Sequence, residues 1–153
     1  MATFDVEAAL EGLKALVQTV PSMESVQVGA PESLGTRISA WVTVGDPGEI
    51  GSTVQGVYEL DLMLICWFGY AVEGSEQAAE AQLGDYISEL TRRLIQNRMG
   101  TVGGVTRNLN GSVDRLGLPR AAAGPADYTT MAGLEARTYP VGVRIVQREN
   151  LGT

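Results

Sequence analysis

The sequence predicts an α+β domain in which a mainly antiparallel four-stranded sheet carries two helices on one of its faces. Two segments place apolar residues three and four apart, as amphipathic helices do, and several others alternate apolar and polar residues, as strands do. Of the 153 residues, 44% are hydrophobic and 19% are charged, which is typical of a globular chain. We therefore interpret residues 1–153 as a single domain with its own core.

The first predicted element is a helix at residues 4–20. Its apolar residues recur three and four apart and form one broad face. The helix is predicted to end at Pro21, because proline lacks the backbone N–H that would continue it. Residues 25–28 are predicted to form a short strand, followed by a segment rich in turn-forming residues.

A longer strand is predicted at residues 36–44. Apolar side chains lie on one of its faces, and Trp41 lies on the other. Residues 45–48, Gly-Asp-Pro-Gly, are a strong turn signal. The chain from this turn to residue 56 is therefore predicted to form a long hairpin loop that leads into the next strand.

The central strand, at residues 57–70, has an unusual pattern. Its first half alternates apolar and acidic residues, as a half-buried strand does. From Met63 onward both faces are apolar, because Met63, Ile65 and Trp67 occupy the face that the helices do not cover. Such a face requires a cover, which is either a loop of the same chain or a neighbouring subunit.

The clearest helix is predicted at residues 76–98. Its apolar stripe contains Leu83, Ile87, Leu90 and Leu94. Acidic residues lie near its start and arginines near its end, which suits the helix dipole. We interpret the arginines in this way and not as a nucleic-acid site.

Residues 100–133 contain seven glycines and two prolines and show no sustained period. The segment has too many apolar residues for a linker, so we predict a long loop or arm that packs on something. A short hairpin within the same domain is the alternative. We assign four residues of the segment to contacts with a partner: Arg107, Leu109, Leu116 and Leu118.

The last predicted strand covers residues 134–148. Tyr139, Val141 and Val143 lie on one of its faces. Pro140 and Gly142 indicate that the first half of the strand is an edge or carries a bulge, because proline donates no ladder hydrogen bond.

The composition excludes most catalytic chemistry. The chain has no histidine and one cysteine, so Ser-His-Asp and Cys-His catalysis and the common zinc sites are excluded. Cys66 shares a strand face with apolar residues and is predicted to be a buried core residue. Glu59 and Asp61 fit either a pair of catalytic carboxylates or a solvated sheet face, and we prefer the solvated face. We predict no enzyme activity, no cofactor and no metal.

The charge distribution bears on possible partners. The net charge of −7 argues against a protein that coats duplex DNA. Residues 1–99 hold 14 acids and 5 bases, whereas residues 100–153 hold 4 acids and 6 bases, which fits either complementary faces in a head-to-tail assembly or an uninformative scatter. No apolar run approaches the roughly 18 residues of a membrane span, so we predict a soluble, unsecreted protein with no membrane contact.

Three stretches and the order of the elements carry a resemblance to a known family. The stretches are Y-E-L-D-L-M-L-I-C-W in the central strand, E-A-Q-L-G-D-Y-I-S-E-L-T-R-R-L-I in the second helix and Y-P-V-G-V-R-I-V in the closing strand. Together they resemble the tail terminator proteins of long-tailed (siphovirus-type) bacteriophages, within the wider group of head–tail joining and tail-completion proteins. The resemblance covers residues 36–98 and 134–148 and does not extend to residues 100–133.

The resemblance implies a structural virion protein that forms a ring, expected to be hexameric, on the end of the tail tube. Such a ring stops tube polymerisation and docks to the head connector. Its expected partners are further copies of itself, the tail tube protein and the connector and other neck proteins, and DNA passes through it without specific binding. It is expected in the virion, and in the host cytoplasm during assembly. The expected interface on the sheet contains Trp41, Met63, Ile65 and Trp67.

Three other functions remain open from the sequence. Another ring of the neck, a head-completion or tail-completion protein, differs from a terminator mainly in its binding partner. The tail tube protein also forms hexameric rings and is expected to have more strand and less helix. A small α+β ligand-binding domain would be monomeric or dimeric and would contain a well-formed pocket.

Overall fold

The computed structural model of the protein describes residues 5–54, 57–72, 76–121, 127–131 and 133–150. Its elements in chain order are α1 (Val6–Gln18), β1 (Val26–Val28), β2 (Ser39–Val54), β3 (Val57–Ala71), α2 (Glu76–Asn97), α3 (Arg107–Gly111), β4 (Arg115–Ala121), β5 (Asp127–Met131) and β6 (Leu134–Asn150). The six strands belong to one sheet.

The sheet is larger than the sequence predicts. Its strands follow the order β1-β2-β3-β6-β4, and β5 also pairs with β6. β1 runs parallel to β2, whereas the other described pairs are antiparallel. The α+β class is confirmed. The four-stranded, mainly antiparallel sheet is corrected to a mixed sheet of five strands along its path, with β5 beside β6.

The main core lies between the sheet and the two long helices, which pack on the same face as predicted. Burying one large aliphatic side chain stabilises such a core by about 1.5–3 kcal/mol. Cys66 is confirmed as a core residue, and burial raises the pKa of its thiol. The cluster includes Leu13, Leu16 and Val17 of α1, Leu83, Leu90 and Leu94 of α2, and Leu64, Cys66 and Phe68 of β3.

β2 continues well past the predicted turn. Residues 45–48 lie inside the strand, so the predicted turn and the hairpin loop after it are wrong. β3 provides a pairing partner along β2, with register shifts on both sides of Pro47. β1 pairs only with residues 40–42 of β2, so Pro47 has no second neighbouring strand among the described residues. Proline is tolerated at an edge or bulge of this kind, because no ladder hydrogen bond is lost.

Residues 100–133 are not the long loop or arm that their glycine content predicts. They contain α3 and the strands β4 and β5, which lie end to end along one edge of β6. The segment folds back because β6 offers it an unpaired edge, which a local pattern does not reveal. Residues 122–126 and 132 lie outside the described part of the chain. Four apolar residues of the segment are buried in the main core: Val105, Leu109, Val113 and Leu116.

β6 is a central strand and not the edge strand that its proline suggests. Its residues 136–150 pair with β3. On its other side, β5 pairs with residues 134–138 and β4 with residues 141–146. Pro140 pairs with Trp67 of β3 and, on the other side, falls between these two stretches, where no described residue pairs with it.

Three strands of the sheet are long. β2, β3 and β6 contain 16, 15 and 17 residues, and each therefore spans about 50 Å. Among the described side chains of β3, those fully buried in the main core begin at Leu64. At one end of the sheet, residues 47–54, 57–61 and 146–150 pair with one another, and we refer to them as the three-stranded extension.

Candidate assembly surfaces

The sheet face without helices carries two stacked tryptophans. Trp41 of β2 and Trp67 of β3 are register partners. Their ring centroids are 6.3 Å apart, and the ring planes differ by 9°. The Trp67 indole Nε1 donates a hydrogen bond to Thr43 Oγ1 at 3.0 Å. The stacking and the hydrogen bond hold the Trp67 side chain in one orientation.

Trp41 is covered by the chain itself. It is 4% exposed and packs with Leu34, from the segment between β1 and β2, and with Ala136 of β6. Gly69 lets the ring approach the sheet, because a Cβ at that position would lie 2.7 Å from a Trp41 ring atom. This face was expected to be covered either by a loop of the same chain or by a neighbouring subunit. Trp41 is covered by the chain's own loop, so its ring is not available to a partner.

Three other large apolar residues of this face keep exposed surface. Met63, Ile65 and Trp67 are half-buried and occupy alternate positions of β3, so their side chains lie side by side. Ile65 is flanked by Thr43 on β2 and by Gly142 on β6. We refer to Met63, Ile65 and Trp67 as the apolar strip.

A charged cluster continues the same face toward the three-stranded extension. Asp61 accepts hydrogen bonds from Arg144 Nε, at 2.9 Å on Oδ1 and 2.8 Å on Oδ2, and from its Nη2. These bonds raise the pKa of the Arg144 guanidinium. Glu59 forms ion pairs with Arg148 at 3.5 Å and with Arg115 at 3.7 Å. Each carboxylate is thus paired with arginine, an arrangement that suits a polar border and not a catalytic carboxylate pair.

The other residues that the sequence assigned to an interface lie elsewhere. Leu109 and Leu116 are fully buried in the main core on the helix side of the sheet. Arg107 is exposed, and its Nε donates a hydrogen bond to the Arg98 carbonyl at 2.9 Å. Leu118 belongs to β4, but its side chain lies outside the described residues. On the sheet face without helices, the structure therefore brings together the assigned residues of β2 and β3, and it places Arg107, Leu109 and Leu116 elsewhere.

Asn97, which the sequence did not single out, organises the chain after α2. Its side chain is fully buried. Its Nδ2 donates to the carbonyls of Gly100, Val105 and Thr106 at 3.3, 3.1 and 3.0 Å. Its Oδ1 accepts the Leu109 N–H at 2.9 Å. The sequence does contain a signal for this role, because Asn97 is a polar residue at a position that continues the apolar stripe of α2.

α3 contains a left-handed turn instead of a regular helix. Asn108, Leu109 and Asn110 have φ values of 58°, 54° and 62°, which are strained for residues other than glycine. The turn is held by the buried Leu109 side chain and by close packing against α1. A Cβ at Gly12 would lie 2.5 Å from the Leu109 carbonyl oxygen.

Gly12→Ala is expected to lower the free energy of unfolding by about 1–3 kcal/mol, because the added methyl group overlaps Leu109. Helix propensity alone predicts the opposite sign, a gain of about 1 kcal/mol. Urea denaturation measures the difference. The matched control is Gly84→Ala in α2, where no atom lies within 4 Å of the added Cβ and a gain of about 1 kcal/mol is expected. Equal gains at both positions would contradict the close packing of α1 on the left-handed turn.

Two comparisons with known proteins do not assign these surfaces to a family. Comparison of the chain with models of protein families gives no match, and comparison with curated protein sequences gives none either. Among the described residues, no group of three or more His, Cys, Asp or Glu side chains is placed to hold a metal ion. Within the same residues, no helix is both long enough and apolar enough to cross a membrane.

Proposed function

We propose that this chain is a structural virion protein that forms a ring of six subunits on the end of a phage tail tube. The ring stops polymerisation of the tube and presents a docking surface to the head connector. The observation that carries the proposal is the apolar strip, three large apolar side chains left partly exposed on a sheet face without helices. The resemblance of the sequence to tail terminator proteins supplies the kind of assembly.

The apolar strip has the composition of an interface centre. Tryptophan and methionine are enriched at the centres of protein interfaces, and a fixed aromatic ring loses little entropy on binding. Trp67 is already held by Trp41 and Thr43, so it is ready for contact. The charged cluster around Asp61 and Arg144 would form the polar rim of such a contact.

The three-stranded extension supports an oligomer. It lies at one end of the three longest strands, which are paired with one another there. A paired extension is stiffer than a single loop and can reach across to a neighbouring subunit. In a ring, this extension and the apolar strip would supply contacts to a neighbour and to the tube.

The remaining partners follow from the same proposal. The ring would bind the tail tube protein on one side and the head connector or other neck proteins on the other. The net charge of −7 would let DNA pass through the ring without sticking, because acidic side chains repel phosphates. The protein would act in the virion after assembly in the host cytoplasm.

A second candidate is the tail tube protein itself. The observation that favours it is the strand content, since the six strands together contain more residues than the three helical segments. A tail tube protein is expected to have more strand and less helix than a tail terminator protein. The two candidates differ in behaviour, because a tube protein polymerises without a stop and a terminator ends polymerisation.

Light scattering across a concentration series, for the protein alone and with tail tubes, tests the proposal. We expect a ring-sized species, either free in solution or formed on tubes from monomers. Added during tube polymerisation, the protein should also shorten the tubes. Unlimited self-polymerisation would favour the tube protein, and a strict monomer that ignores tubes would overturn both candidates.

A further inference from the structure

A groove of about 330 Å³ opens where the end of α2, the left-handed turn and the start of β4 meet. Its walls include Ile95, Arg98 and Met99 from the end of α2 and Arg107 from the turn. We refer to these four residues and the space between them as the arginine groove. Leu116, which also lines it, belongs to the core on the helix side of the sheet, so the groove is separate from the apolar strip.

The described lining of the arginine groove is net positive, with three arginines and one aspartate. Among the described residues, Arg98 and Arg107 form no ion pair. The Arg107 guanidinium is held at the end of α2 by its hydrogen bond to the Arg98 carbonyl. The third arginine, Arg115, is ion-paired with Glu59 at 3.7 Å, and the Oδ2 of Asp114 accepts the Arg148 backbone N–H at 2.7 Å. The groove thus presents two guanidiniums without an ion pair to its occupant.

Apolar surface adjoins these cations. Met99 is 83% exposed, and Ile95, one helical turn before it, is 41% exposed. Both are large apolar side chains that the subunit leaves in water. Methionine and arginine together are typical of interface surfaces, and a basic groove with apolar walls fits an acidic helix with apolar flanks.

We propose that the arginine groove binds the acidic face of α1 of a second copy of this chain. Glu7 and Glu11 lie one turn apart on α1 and are both exposed. Glu7 forms no ion pair with a described residue, and Glu11 has only a 3.9 Å contact with Lys14. The half-buried Leu10 lies beside them. Two carboxylates and an apolar neighbour on α1 complement the two guanidiniums and the apolar walls of the groove.

The two surfaces are different parts of the subunit, as a ring requires. α1 contacts β1, β2 and α3, whereas the groove is lined by the chain after α2, by α3 and by the start of β4. A contact between two different surfaces joins copies head to tail, and such contacts form a ring when the rotation between neighbours closes. The inference rests on the proposed function, since it assigns one interface of the proposed ring.

Charge reversal tests the pairing. One variant carries Arg98→Glu and Arg107→Glu, a second carries Glu7→Lys and Glu11→Lys, and a third carries all four substitutions. We expect self-association to weaken about tenfold or more in each of the first two variants, because like charges then face each other. The third variant should recover the association of the unmodified chain. Sedimentation and light scattering measure association, and circular dichroism verifies the fold of each variant.

The controls separate this inference from the proposed function. Arg37→Glu with Arg92→Glu changes the net charge equally at exposed positions outside the groove and should leave association unchanged. If the unmodified chain associates neither alone nor on tail tubes, the proposed function fails. If it associates and the reversals do not weaken it, the groove is not the subunit interface. Two outcomes would overturn α1 as the occupant. In one, self-association is lost in the first two variants and is not recovered in the third. In the other, the variants lose binding to tail tubes but still form rings.

Discussion

Replacing Asn97 by leucine is expected to lower the free energy of unfolding by about 3–5 kcal/mol, with unfolding followed in guanidinium chloride. The amide makes three contacts with buried or half-buried carbonyls and accepts one backbone N–H, and leucine replaces none of them. A buried polar group left without a partner costs about 1–3 kcal/mol. The expected loss is smaller than the sum of the costs for all of these groups, because part of the segment after α2 can move toward water.

Gln96→Leu is the matched control for this substitution. Gln96 precedes Asn97 in α2, and its side chain is exposed. The same chemical change there should alter the free energy of unfolding by less than about 0.5 kcal/mol. If Asn97→Leu proved as mild as Gln96→Leu, Asn97 would not be the residue that holds the segment after α2.

Asn97→Asp separates hydrogen bonding from side-chain shape. The aspartate keeps an acceptor for the Leu109 N–H but places its charge beside three carbonyls. Burial and the carbonyls should raise its folded-state pKa above the unfolded value of about 4. The variant should therefore be most stable below about pH 4 and lose stability as the pH rises through the raised pKa. A pH profile parallel to that of Asn97→Leu would contradict this account.

Ile65→Lys is expected to weaken assembly about a thousandfold while leaving a folded subunit. In the subunit, Ile65 is only half-buried, so a lysine can extend its ammonium group into water. In an assembly that covers the apolar strip, the same ammonium would be buried without a partner at a cost of about 4 kcal/mol. Each 1.4 kcal/mol corresponds to about a factor of ten in the association constant. Light scattering measures the mass, and thermal unfolding measures the fold.

Val44→Lys is the matched control for the apolar strip. Val44 is a 48% exposed residue of β2 that pairs with Leu64, so it lies on the opposite face of the same strand pair. Its substitution should leave both assembly and folding unchanged. If the Ile65→Lys protein assembles normally, the apolar strip is not part of the interface. If it fails to fold, the strip serves folding and not assembly.

Trp67→Ala is a less selective test of the same surface. Trp67 stacks on Trp41 and donates a hydrogen bond to Thr43, so its removal disturbs the subunit as well as any interface. From the sequence alone, the two-sided apolar strand predicts a larger effect of this substitution on assembly than on folding. The contacts of the ring within the subunit lead us to expect measurable effects on both, which is why Ile65 is the better position.

Both long helices and the strands β3 and β6 could be predicted from the sequence, because hydrophobic periodicity is a local signal that survives tertiary packing. The loss of alternation after Met63 also identified the apolar strip correctly as a second apolar face. The continuation of β2 through Pro47 could not be predicted in this way. It depends on which side of β2 lacks a neighbouring strand.

The same limit applies to the candidate surfaces. Leu109 and Leu116 looked like contacts of an arm because their segment has no period, yet they are core residues once the segment pairs with β6. Ala136 lies far from Trp41 in the sequence, and no local pattern shows that it and Leu34 cover the Trp41 ring. The arginine groove likewise forms only where α2, the left-handed turn and β4 meet.

The sequence by itself determined the α+β class, the two helices, the central strand and the two-sided apolar character of that strand. These features follow from the spacing of side chains along one segment, which fixes the face that each residue occupies. The tertiary structure decided the size of the sheet, the burial of Trp41, the role of Asn97 and the place of residues 100–133. Those features depend on contacts between distant segments, where the pairing partner and not the local residue pattern sets the free energy.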